Sequence, residues 1–201
     1  MDWVGRVTQP PLLDHDPAGR RPFDFYETPA WMTLALLRRV KVAGPVLEPA
    51  AGNGAIVRVL QKAGHQWWSN DLDQTWPTQG HADITQRDTW RCFPEWNWAV
   101  TNLPFNVADQ VVPIAHAFML EDGGLAFLLR LSWLEPTAAR QDFLNQYPPK
   151  RLIVLPRHDF RGSGQTDSVT SAWMVWGHVE PGIDVVTKAE RDALSNQDGR
   201  P

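Results

Sequence analysis

Residues 123–131, GGLAFLLRL, constrain the fold of this chain more than any other stretch. An apolar run of this kind, without polar alternation, reads as a strand covered on both faces. Such strands occur in parallel sheets enclosed by helices. PVLEP (45–49), HQWWSND (65–71), HADIT (81–85), NWAVTN (97–102) and KRLIVLP (150–156) read as further short strands, and TSAWMVWGH (170–178) as a last one with alternation. Helical runs lie between them. One begins at Thr28-Pro29, with Pro29 at the first helical position, and continues to about Lys41. Others run from Gly52 to about Ala63, from Val107 to about Leu120 despite Pro113, and from Pro136 to about Gln146. Strands alternating with helices predict an α/β fold with a mainly parallel sheet.

The chain has 201 residues, the size of one domain with tails. Residues 1–24 lack apolar periodicity and read as an irregular arm. Residues 25–180 read as the domain, and 181–201 as a polar tail with a short helix near Lys188–Leu194. Cys92 is the single cysteine, so no internal disulfide forms, and a reducing, cytoplasmic setting is expected. No stretch reads as a membrane span or a signal peptide. The net charge of −4 excludes recruitment of nucleic acid by bulk charge, though not by a local basic face. Among 11 tryptophans some must be core, because each ring buries a large apolar area.

In open α/β sheets, ligands sit beyond the carboxyl ends of the strands. The first such turn reads Glu48-Pro49-Ala50-Ala51-Gly52-Asn53-Gly54. Its glycines permit positive φ and close backbone approach, and a helix with free N–H groups follows. A dinucleotide fingerprint would need glycine at 57, where Val57 stands, and no Gly-Lys-Ser/Thr follows for a nucleoside triphosphate loop. Glu48, ahead of the glycines, suits a cationic amino-acid ligand such as the methionine part of S-adenosylmethionine. The second strand ends in Asn70-Asp71-Leu72-Asp73, where Asp71, or failing it Asp73, can accept two ribose hydroxyls. Asp83 is placed to accept from the exocyclic amine of an adenine ring, or simply to cap a turn. The fourth strand ends in Asn102-Leu103-Pro104-Phe105. A turn needs the Asn or the Pro; it does not need the ring.

With Tyr26-Glu27-Thr28-Pro29, the glycine turn, Asp71, Asp83 and Asn102-Leu-Pro-Phe105, most of residues 25–177 resembles a class I S-adenosylmethionine-dependent DNA N6-adenine methyltransferase. The family occurs in phages, prophages and restriction–modification systems. The resemblance implies a three-layer Rossmann-like methyltransferase fold, with a mainly parallel seven-stranded sheet and an antiparallel last strand. It implies S-adenosyl-L-methionine held by Thr28, Pro29, Glu48, Ala50, Gly52, Gly54, Asp71, Leu72 and Asp83. It also implies catalysis by Asn102, Leu103, Pro104 and Phe105, with no metal. Asn102 Oδ1 and the Leu103 carbonyl would each accept one N–H of the amine, Pro104 would fix the loop, and Phe105 would stack on an extruded base. The usual second residue of this signature is proline; Leu103 keeps the carbonyl and loses rigidity.

The 156–168 loop, PRHDFRGSGQTDS, offers Arg157, His158 and Arg161 to substrate phosphates. The expected partner is nucleic acid, DNA first, and no membrane. Specificity would come from that loop or from a separate recognition subunit, or would be low. Two alternatives stay open: the same chemistry on RNA adenine or protein glutamine, and a catalytically silent binding module on the same fold. Six histidines without ligand spacing point to no metal, and His158-Asp159 to no triad.

Overall fold

The GGLAFLLRL run forms strand β4 (Gly124–Arg130), and its side chains divide by the two-residue period of a strand. Leu125, Phe127 and Leu129 enter one apolar layer, and Ala126 and Leu128 the other. The structure, a computed structural model, describes residues 26–160 and 169–198. The other strands are β1 (Val46–Glu48), β2 (Trp67–Ser69), β3 (Trp98–Asn102), β5 (Arg151–Val154), β6 (Ser171–Gly177) and β7 (Gly182–Val185). They form one sheet in the order β2-β1-β3-β4-β6-β5-β7. Only β6 runs against the others, pairing antiparallel with both β4 and β5.

Helices α1 (Ala30–Leu37), α2 (Ala55–Lys62) and α6 (Lys188–Asp198) cover one face. Their Trp31, Met32, Leu36, Ile56, Leu60 and Leu194 pack with Trp98, Val100, Leu128 and Trp173 of the sheet. Helices α3 (Thr89–Cys92), α4 (Ala108–Phe118) and α5 (Gln141–Gln146) cover the other. Buried indoles satisfy their N–H groups: Trp173 donates to the Met32 carbonyl at 2.8 Å, and Trp90 to that of Ile84 at 2.9 Å. A buried indole removes roughly 150–250 Å² from water, worth about 4–6 kcal/mol at about 25 cal/mol per Å². Such packing holds α1, whose 8 residues are too few to be stable as an isolated helix.

Several elements depart from the sequence-based expectation. HADIT is not a strand. Asp83 closes a turn there, accepting from Thr85 N at 2.9 Å, and the nearby sheet contact is a lone bridge between Asn70 and Gly80. The seventh strand is instead β7, in the segment read as a tail, and it runs parallel to β5, so the antiparallel TSAWMVWGH strand is followed by one more. Asp184 of β7 binds Arg151 at 2.7 Å, and Glu190 of α6 takes a two-pronged bond from Arg39, both prongs at 2.7 Å. Val186 and Leu194 are buried, so this segment packs into the core up to α6. Helix α2 starts at Ala55, because Gly54 is left-handed (φ 75°) and ends the turn. Pro29 precedes α1 as its cap, with φ −56° and ψ 137°, and the helix closes at Leu37. A 3-10 turn at Leu131–Leu134 delays α5 to Gln141. The arm 1–24 and Arg161 lie outside the described residues.

Candidate active site

The carboxyl ends of β1, β2 and β3 are tied to one another by the side chains of Asn70, just after β2, and Thr101, within β3. Asn70, fully buried, donates through Nδ2 to the carbonyls of Pro49 (3.0 Å) and Ala82 (2.9 Å), and its Oδ1 accepts from Ala82 N at 2.8 Å. Its main chain bonds Glu48 O and Ala51 N, both at 2.9 Å. Thr101 Oγ1 donates to the Ala50 carbonyl at 3.3 Å, tying the glycine turn to β3. A single carboxamide thus joins the glycine turn to the segment that carries Asp83.

Glycine is required at 52 and 54 by backbone angles, φ 51° and 75°. For Gly54 space is not the reason, since an added Cβ would meet nothing closer than 3.9 Å. The turn brings Gly52 N to within 2.7 Å of Asp71 Oδ2, while Asp71 Oδ1 accepts from Asp73 N at 2.9 Å. Asp73 points its own carboxylate at Thr75 N, 2.9 Å away, so Asp71 and not Asp73 contacts the glycine turn. Leu72, beside it, is 54% exposed, an apolar platform at the rim. Burial would raise the Asp83 carboxyl, but the Thr85 hydroxyl and N–H and the Gln86 amide outweigh it, and it is held below its ordinary value. Its Oδ1 is committed to Thr85, whereas its Oδ2 has only a long 3.4 Å contact with Gln86 Nε2 and keeps acceptor capacity.

Glu48 is buried at the end of β1, and its Oε2 accepts from Val57 N at 3.0 Å. Burial pushes its carboxyl well above the ordinary 4.5, with the Val57 N–H offsetting part of the rise and the Asp71 charge adding to it. The native state therefore keeps a proton that the unfolded chain releases, and stability falls as pH rises from about 4.5 through the native pKa. Glu48→Gln keeps an acceptor for Val57 and removes the titration. In thermal unfolding of the ligand-free protein from pH 5 to 9, the variant is expected to show a higher Tm at neutral pH and a flatter profile. An equally steep profile would remove Glu48 as its source.

The β3 end presents the NLPF segment. Asn102 Nδ2 donates to the Tyr26 carbonyl at 3.1 Å. A carbonyl only accepts, so this bond fixes which amide atom faces Tyr26 and leaves Oδ1 turned the other way. No group among the described residues donates to that oxygen. Leu103 is 1% exposed and packed in the α4 layer, so apolar anchoring holds the loop where a second proline ring would have stiffened it. The Pro104 carbonyl accepts from Val107 N at 3.2 Å, closing the turn into α4. Phe105 is half-buried, with the Arg130 guanidinium 4.6 Å from its ring centroid.

Thr28, buried, and Pro29 line a cleft of about 670 Å³ with Glu27, Arg58, Lys62 and His158. His158 lies edge-on to Trp31 and Phe160, at 6.1 and 5.1 Å, in this cleft beside α1 and α2, which none of Glu48, Gly52, Gly54, Asp71, Asp83 or Asn102 lines. Arg157 is exposed. The structure thus brings together Glu48, Ala50, Gly52, Gly54, Asp71 and Asp83, and sets Asn102–Phe105 on the adjoining strand end. Four groups near these strand ends have no role in the sequence reading: Asn70, the Tyr26 carbonyl, Asn53 and Arg130. Tyr26, Asn53 and Asn70 stand inside the quoted motifs without a role assigned to them, and Arg130 shows only as a charge that ends an apolar strand.

No family model matches the chain, and no curated protein does. Solved structures do. A type I restriction–modification methyltransferase subunit from Streptococcus thermophilus is 14% identical, with a TM-score of 0.56 over 85% of this chain. A protein from Listeria monocytogenes, described as a class I S-adenosylmethionine-dependent methyltransferase, is 13% identical, with a TM-score of 0.53 over 84% of this chain and 67% of its own. A predicted O-methyltransferase from Agrobacterium tumefaciens is 15% identical, with a TM-score of 0.56 over 84% of this chain and 96% of its own. The chain spans only about half of the Streptococcus subunit, 52% of its length. At these identities the likeness is one of architecture: the chain has the three-layer, Rossmann-like fold of S-adenosylmethionine-dependent methyltransferases.

Proposed function

We propose that this protein transfers a methyl group from S-adenosylmethionine to the exocyclic N6 amine of adenine in DNA. One observation carries the reading above all others: the Tyr26 carbonyl holds the Asn102 amide so that Oδ1 is left, without a donor among the described residues, at the end of β3.

The residues of the glycine turn suit this cofactor. Asn53 Oδ1 is buried there without a hydrogen-bond donor among the described residues, an acceptor matched to the ammonium group of an amino-acid ligand. Glu48, buried and uncharged more readily than an ordinary carboxyl, would be drawn back to its anionic form by the same cation. Gly52 and Gly54 allow close approach, Asp71 would take the ribose hydroxyls, and Leu72 and Asp83 the adenine. When bound, the cofactor supplies an electrophilic methyl carbon on a sulfonium.

The chain's own task is to make a poor nucleophile competent. The lone pair of an aromatic amine is delocalised into its ring. With Asn102 Oδ1 accepting one N–H and the Leu103 carbonyl the other, the nitrogen is drawn toward tetrahedral geometry and its lone pair freed. Preorganised acceptors do this without a strong base. Phe105 would hold the extruded base, at roughly 1–3 kcal/mol per stacked ring, against an extrusion cost of a few kcal/mol. Phe105→Ala is accordingly expected to lower kcat/KM on DNA by about 5- to 150-fold, with cofactor affinity unchanged in calorimetry. Equal turnover would take the ring out of base binding.

The likeness to a restriction–modification subunit supports DNA as substrate, and a partner subunit as the source of sequence recognition. The test is transfer of a radiolabelled methyl group to duplex DNA, single-stranded DNA, RNA and protein extract, with nucleoside analysis of the product. N6-methyladenine in DNA is the expected product. Label confined to RNA or glutamine would redirect the substrate, and no label with intact cofactor binding would leave a silent binding module.

A further inference from the structure

Five arginines among the described residues are partly buried: Arg39, Arg130, Arg140, Arg151 and Arg191. Four have a carboxylate close by: Arg39 with Glu190, Arg151 with Asp184 and Arg191 with Asp192 at 2.7 Å, and Arg140 with Asp109 at 3.3 Å. Arg130 has none. Its Nε is buried without an acceptor, and its guanidinium lies over one face of Phe105. A partly buried cation with no carboxylate beside it among the described residues keeps capacity for an anion.

Sheet order sets Arg130 relative to the glycine turn. Glu48 and the glycine turn follow β1, and Asp71 follows β2, whereas Arg130 ends β4, on the far side of β3. At about 4.8 Å per strand, the end of β4 is roughly 10 Å from β1 and 14 Å from β2. Arg130 therefore lies away from a cofactor cradled over β1 and β2, on the side of Asn102 and Phe105 where the acceptor's sugar and phosphate would run. A guanidinium stacked on one ring face leaves the other for a base, and its outward N–H groups match the two oxygens of a phosphodiester.

We propose that Arg130 is a substrate-binding residue that takes a backbone phosphate of the nucleic acid beside the target base. This rests on the reading of Asn102–Phe105 as the target-base site. The phosphate neutralises the unpaired guanidinium while the same side chain supports Phe105 from behind, so backbone contact and base stacking form together.

The test is the salt dependence of binding, by fluorescence anisotropy, of an adenine-containing oligodeoxynucleotide offered single-stranded and as duplex. Relative to wild type, Arg130→Gln is expected to bind about tenfold more weakly at low salt. Its slope of log K against log salt is expected to fall by about 0.7–0.9, the share of one phosphate contact. Arg130→Lys should keep the slope. Arg130→Met, which retains an unbranched stem beside Phe105, gives the same reading as the Gln variant should that one fail to fold, and cofactor calorimetry reports folding. An unchanged slope overturns the proposal, including the case where methyl transfer falls and the slope does not, since Arg130 would then only support the ring. Methyl transfer by wild type with an unchanged slope in the variants overturns this inference alone. An Arg130-dependent slope in a wild type that transfers no methyl overturns the proposed activity and leaves the phosphate contact standing. No binding by wild type removes both.

Discussion

Asn102→Ala is expected to lower the rate of methyl transfer by about 10²–10³-fold, the usual effect of removing one preorganised group that acts on the transition state. The loss should fall in kcat more than in KM, because the acceptor matters most as the nitrogen becomes tetrahedral. Cofactor affinity in calorimetry should be nearly unchanged. The substitution also frees the Tyr26 carbonyl, to which Asn102 Nδ2 donates at 3.1 Å, so a second variant is needed. Asn102→Asp keeps an acceptor and gives up the donor to Tyr26. It is expected to retain a measurable rate if the acceptor is what matters, and to be as inactive as the alanine variant if the Tyr26 clamp is. An alanine variant with wild-type turnover would remove Asn102 from the mechanism.

The second large effect is expected on the cofactor side. Asp71→Ala removes a carboxylate held by Gly52 N at 2.7 Å and by Asp73 N at 2.9 Å. Hydrogen bonds to a charged group are worth about 1.5–3 kcal/mol, or roughly 10- to 150-fold in affinity. Calorimetric Kd for S-adenosylmethionine should rise within that range. Asp71→Asn, which preserves shape and one acceptor, should lose less. Unchanged affinity in the alanine variant would transfer the ribose contact to Asp73, although the carboxylate of Asp73 is already turned to Thr75.

Much of the architecture could be read from pattern. GGLAFLLRL was legible as a fully covered strand because its continuous run has no polar face, and β4 does lie in the middle of the sheet with both faces buried. HADIT and the 181–201 segment were not legible, for one physical reason. A short stretch with Asp in it can close a turn or line an edge strand, and which it does depends on partners distant in sequence. Asp83 has Thr85 beside it and turns; Asp184 has Arg151 across the strand and stays extended. Leu103 shows the same dependence, since its loss of proline rigidity is offset by apolar neighbours in the α4 layer that no local reading could supply.

The order of apolar and polar residues sufficed for the α/β class, the glycine turn and the NLPF turn, because each is a local matter of side-chain period, backbone angle and turn chemistry. It could not say that Asn70 would bind two loops together, that Tyr26 would orient Asn102, or that Arg130 would lie on Phe105 with no carboxylate beside it among the described residues. Those relations join residues far apart in the chain, and they exist only once burial has brought the strand ends side by side and left each polar group to find whatever partner is within reach.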